Sequence, residues 1–107
     1  MENVLEVAKR FVEWSSSGKI SPYLLEIRLT DRCNLKCLTC WQRAWDGIEK
    51  DFEEIPVETW IRAIREAKEM GVGEVEITGG GEPLMRLEDC VKIMKLVKEL
   101  GMEGSLV

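Results

Sequence analysis

Twice in this chain a stripe of apolar residues at helical spacing runs into a glycine and, three residues later, into a short strand-like segment. Val57, Trp60, Ile61, Ile64 and Ala67 form the first stripe, with Pro56 placed as the first helical residue and Gly71 as the stop. "EVEIT" (74–78) follows, with Val75 and Ile77 opposed to Glu74, Glu76 and Thr78. Leu87, Cys90, Val91, Met94, Val97 and Leu100 form the second stripe, stopped by Gly101 before "GSLV" (104–107). Upstream, "LLEIRLT" (24–30) sets Leu25, Ile27 and Leu29 against Glu26, Arg28 and Thr30. The order strand, helix, strand, helix, strand predicts an α/β fold whose parallel strands are joined by right-handed crossovers.

Ahead of this core, Val4, Leu5, Ala8, Phe11 and Val12 predict a short amphipathic helix over 2–14, broken by "SSSGK". Residues 1–19 therefore read as a helix and linker, and 20–107 as the α/β unit. The chain of 107 residues carries a net charge of −5 with acidic and basic residues interleaved, which lacks the concentrated basic face that nucleic acid requires. No apolar run is long enough to span a membrane. Charges at Glu2, Glu6, Lys9, Arg10 and Glu13 interrupt what a secretory signal needs to be continuous. A cytoplasmic setting is expected, one that keeps thiols reduced and points cysteines towards metal. Two Asn and one Gln beside many Glu and Lys lean towards a thermophilic source.

The first strand is separated from its helix by roughly 25 residues, and connections that long are usually functional. That connection carries Cys33-x3-Cys37-x2-Cys40 at the C-terminal end of a parallel strand, the edge where α/β folds bind ligands. Thiolates are soft anionic ligands suited to zinc, an iron–sulfur cluster or copper. Structural zinc closes four ligands, yet this chain has three clustered cysteines and no histidine. The fourth cysteine, Cys90, falls on the apolar stripe of the last helix and reads as a small core residue. The site is one ligand short, and a cube held by three cysteines leaves one iron open. The polar strand residues Glu26, Arg28, Glu76 and Thr78 fit either a wet sheet face or the lumen of a partly open barrel.

The cysteine spacing, directly after a strand and preceded by Thr30, resembles the cluster motif of the radical S-adenosylmethionine (radical SAM) enzymes. "GGGEP" (79–83), directly after the second strand, resembles that family's second motif, with Gly80, Gly81, Glu82 and Pro83 in register. The resemblance implies a [4Fe–4S] cluster on Cys33, Cys37 and Cys40, and S-adenosylmethionine seated by Gly80, Gly81, Glu82 and Pro83. It implies reductive cleavage of that cofactor to a 5′-deoxyadenosyl radical, with ferredoxin or flavodoxin as electron donor. Glu82 offers a carboxylate to the methionine ammonium, or else holds the turn. Thr39 stands where many members carry an aromatic residue, and Trp41 follows the third cysteine. "CNLKCLTCW" is most similar to the branch of molybdenum-cofactor biosynthesis proteins, peptide maturases and tungsten-enzyme cofactor-modifying proteins.

The resemblance implies a partial (β/α)6 TIM-like barrel of which this chain supplies three strands, a truncated and by itself inactive piece. An open strand edge predicts self-association. The substrate is not legible. "WDGIEKDFEE" (45–54) reads as a solvated acidic loop, or as a lid. The competing reading is a non-enzymatic zinc- or cluster-binding module that recruits Cys90, with a disulfide-linked interaction domain behind it.

Overall fold

The computed structural model describes residues 4–40 and 53–107. Its elements in chain order are helix α1 (Val4–Ser17), strand β1 (Leu24–Arg28), helix α2 (Val57–Glu69), strand β2 (Glu74–Thr78), a 3-10 turn (Pro83–Arg86), helix α3 (Leu87–Glu99) and strand β3 (Glu103–Leu106). Among the described residues the strands form one sheet in the order β1-β2-β3, and both pairings are parallel. The α/β expectation holds, with Ile27 beside Ile77 and Ile77 beside Leu106.

Both crossovers are closed by the same device. Gly71 and Gly101 adopt φ of +93° and +70°, a region costly for side chains with a Cβ. Each lets the next amide turn back onto the helix, Val72 N–H to Ala67 O at 3.0 Å and Met102 N–H to Val97 O at 3.0 Å. The residue after each glycine, Val72 or Met102, is thereby folded into the core. Ile27, Leu29, Val75 and Ile77 meet Val57, Ile64 and Ala67 of α2 and Cys90, Ile93, Leu96 and Val97 of α3.

Four details differ from the sequence reading. α1 runs through the serines because their hydroxyls return to carbonyls of the preceding turn, as Ser15 does to Val12 O (2.7 Å) and Ser17 to Glu13 O (2.7 Å). Gly18, at φ +70°, follows it. Pro56 is extended (ψ 145°) and stands just before the helix rather than within it. On α3 the buried side is rotated: Ile93 and Leu96 join the core, while Leu87 and Val91 are exposed. Glu74, assigned to the polar face, is buried, with Ser105 Oγ donating to its Oε1 at 3.4 Å.

α1 buries none of its residues and is anchored through Arg10. That guanidinium donates to Ser21 O (3.2 Å), Pro22 O (2.8 Å) and Gly71 O (2.8 Å), and lies 5.2 Å from the centre of the Tyr23 ring. Among the described residues no helix is long and apolar enough to cross a membrane.

Candidate functional site

Because β1 and β2 are parallel neighbours, the loops that follow them leave the sheet at the same edge. There the two motifs are joined backbone to backbone. Gly81 N–H donates to Thr30 O (3.1 Å) and Glu82 N–H to Arg32 O (2.8 Å). Such contact demands glycine. A Cβ on Gly81 would run into the backbone carbonyl of Arg32, and one on Gly80 into the Asp31 carboxylate and the Arg28 guanidinium. Arg28 and Asp31 are themselves paired, Nε to Oδ1 at 2.6 Å.

The rest of the second motif is shaped by its own side chains. Glu82 Oε1 accepts from Leu84 N–H (2.9 Å) and so caps the 3-10 turn, the turn-holding alternative of the sequence reading. Pro83 is buried, and its carbonyl accepts from the Cys90 thiol at 3.3 Å. Burial pushes the Cys90 thiol pKa up, which keeps it protonated and inert.

Of the three clustered cysteines, Cys37 is exposed and Cys33 and Cys40 are half-buried. Cys40 N–H turns back onto Cys37 O (3.1 Å), and the Cys33 sulfur accepts from Leu35 N–H (3.4 Å). All three belong to one stretch of the loop that follows β1. Among the described residues, however, no group of three cysteine or acidic side chains is arranged to hold a metal. The residues fit an iron–sulfur cluster in kind, as three thiols on a loop whose start is packed against the glycine motif more closely than a Cβ would allow. Gathering three thiolates at one point works against their mutual repulsion, which a cation offsets on binding.

Sequence reasoning missed the polar network beneath this loop. Thr30 is 3 % exposed; its hydroxyl donates to Glu54 Oε1 (2.6 Å) and accepts from Arg32 N–H (3.1 Å). Arg32 Nε donates to the same carboxylate at 2.7 Å. The hydrogen bond from Arg32, then that from Thr30, lowers the Glu54 pKa, and the same bond raises that of Arg32. Arg86, 8 % exposed at the end of the 3-10 turn, approaches Glu54 from below at 3.7 Å. Glu54 therefore departs from the solvated acidic loop of the sequence reading. Trp41 and Trp45 lie outside the described residues, as does most of the "WDGIEKDFEE" stretch.

Comparisons with known proteins bear on the family and the fold. The family pattern described as the radical SAM superfamily matches residues 27–106. A probable GTP 3′,8-cyclase of Methanothermobacter marburgensis is 36 % identical over 77 residues, covering 72 % of this chain and 24 % of the relative. A PqqA peptide cyclase of Methylorubrum extorquens is 34 % identical over 87 residues, covering 81 % and 22 %. The crystal structure of Streptococcus suis SuiB bound to S-adenosylmethionine superposes with a TM-score of 0.63 at 27 % identity, over 95 % of this chain and 23 % of that one. The same protein bound to precursor peptide SuiA gives 0.66. The chain spans about a quarter of the length of these relatives. With the match running from β1 through β3, the chain belongs to the radical SAM superfamily.

Proposed function

We propose that Cys33, Cys37 and Cys40 hold a [4Fe–4S] cluster and that Gly80, Gly81, Glu82 and Pro83 seat the methionine end of S-adenosylmethionine. The observation that carries this reading is the pair of backbone bonds, Gly81 to Thr30 and Glu82 to Arg32, that lays one motif on the other. Three thiolates leave one iron without a protein ligand, and a glycine backbone that carries no Cβ admits a small zwitterion closely. When bound, the cluster supplies the electron for reductive cleavage of S-adenosylmethionine to a 5′-deoxyadenosyl radical. Glu82 serves by holding the turn, since one carboxylate oxygen caps Leu84. Cys90, buried on Pro83, stays out of the ligand set.

The substrate class we favour is a cofactor precursor or a peptide to be matured; one relative's name gives GTP and the others give peptides. Residues 20–107 would then contribute the first three strands of a partial barrel, in a cytoplasm where ferredoxin or flavodoxin supplies electrons. Alone, the chain would bind the cluster without turnover, because three strands do not enclose a lumen. Anaerobic reconstitution with iron and sulfide is expected to give about four irons and four sulfides per chain. One zinc and no sulfide would favour the non-enzymatic module instead.

Self-association belongs to the same reading. The outer edge of β3 adjoins an apolar groove of about 370 Å3 lined by Leu84, Leu87, Val91, Met94 and Leu106. A second copy pairing there would cover both. Sedimentation at micromolar concentration is expected to show a dimer; a stable monomer would remove this part of the proposal.

A further inference from the structure

We infer that Arg86 is a positioning residue that holds both ends of the cysteine loop against the glycine loop. This rests on the reading of Cys33, Cys37 and Cys40 as cluster ligands. The guanidinium reaches three separate stretches of chain. One nitrogen donates to Leu29 O (2.8 Å), where the chain enters the loop, and to Ile55 O (3.0 Å), where it leaves. Nε and the other terminal nitrogen bind Asp89 Oδ2 at 2.9 and 2.8 Å, which fixes the group to the first turn of α3. Arg86 also closes the 3-10 turn that begins at Pro83, so the clamp is continuous with the glycine motif.

The fork geometry explains the residue type. Leu29 O, Ile55 O and the Asp89 carboxylate lie around one planar group with five donors, which a lysine ammonium on its flexible stem does not reproduce. Glu54 adds a second tie at the exit, holding Thr30 and Arg32 at the entrance. A long connection whose ends moved independently would have to be ordered by the metal itself. With the ends fixed, the thiols are offered from a closed loop beside the cofactor cradle.

The test uses the whole chain as wild type, Arg86→Lys, Arg86→Gln and the gentler Asp89→Asn, with Ile93→Val as a stability control remote from the loop. Each is compared at the same distance below its melting midpoint. Amide hydrogen exchange is read first, before any iron is added. Exchange at Gly81 and Glu82 is expected to speed up at least ten-fold in the Arg86 variants, while Val75–Ile77 and the control keep their protection. Unchanged protection at Gly81 and Glu82 overturns the inference, whatever the iron does. After reconstitution, iron loss to bathophenanthroline disulfonate is expected to be at least ten-fold faster in the Arg86 variants than in the control, and equal rates also overturn it. A wild type that retains no iron sinks the cluster reading, and exchange at Gly81 and Glu82 then decides the clamp alone.

Discussion

Cys37→Ala should leave the anaerobically reconstituted chain with at least ten-fold less iron after gel filtration, and Cys33→Ala and Cys40→Ala should do the same. On the proposed reading the thiols act as a chelate from one loop, so removing one opens a second iron to solvent and leaves two ligands where there were three. Cys90→Ala, by contrast, should keep the cluster. That thiol is buried and donates to Pro83 O, and its loss costs about 1 kcal/mol for the hydrogen bond. Iron and sulfide analysis beside near-ultraviolet and visible absorbance reads all four variants. Retention in Cys37→Ala with loss in Cys90→Ala would transfer the site to the wrong part of the fold.

Gly81→Ala should be strongly destabilising for a change of one methyl group. Its Cβ meets backbone, the carbonyls of Arg32 and Asp31, which cannot swing aside as a side chain can. The glycine loop must lift, at about 1–3 kcal/mol for the misfit. It also risks the bonds to Thr30 O and Arg32 O, each about 1 kcal/mol. Melting should fall by roughly 10–20 °C. Gly80→Ala should be milder, because its Cβ meets only the ends of Asp31 and Arg28, an exposed pair worth at most about 1 kcal/mol. Calorimetry on both variants checks the order. A Gly81→Ala protein as stable as the wild type would show that the two motifs do not depend on close backbone contact.

How far the fold was legible follows from what each residue pattern encodes. The glycine stops at Gly71 and Gly101 announce themselves because only a residue without Cβ ends a helix cheaply at positive φ. Alternation at Leu25, Ile27, Val75 and Ile77 gave the strands, and the helices between them forced parallel pairing. The rotation of α3 was not legible. Its apolar residues spread around more than half the helix, so periodicity shows a wide stripe but not which flank faces the sheet. Ile93 and Leu96 won that place, leaving Leu87 and Val91 on the outer side.

At the site, the motifs were legible because their spacing is local. The network beneath them was not. Glu54 meets Thr30 across 24 residues, and Arg86 meets Leu29 across 57, and no sequence period marks such a pairing. A hint was present in "PLMR", where one arginine interrupts an apolar run just after the glycine motif. A charge in that position must either face solvent or find partners, and Arg86 found carbonyls and carboxylates.

The central claim is that one iron, left open by three thiolates, faces a cradle for the amino and carboxylate groups of S-adenosylmethionine. Electron paramagnetic resonance of the reconstituted, reduced chain tests this most directly, with S-adenosylmethionine added in one sample and 5′-methylthioadenosine, which lacks the amino-acid end, in another. The account predicts a changed cluster signal with S-adenosylmethionine and an unchanged one with 5′-methylthioadenosine. A signal indifferent to both, in a chain that holds its iron, would contradict it.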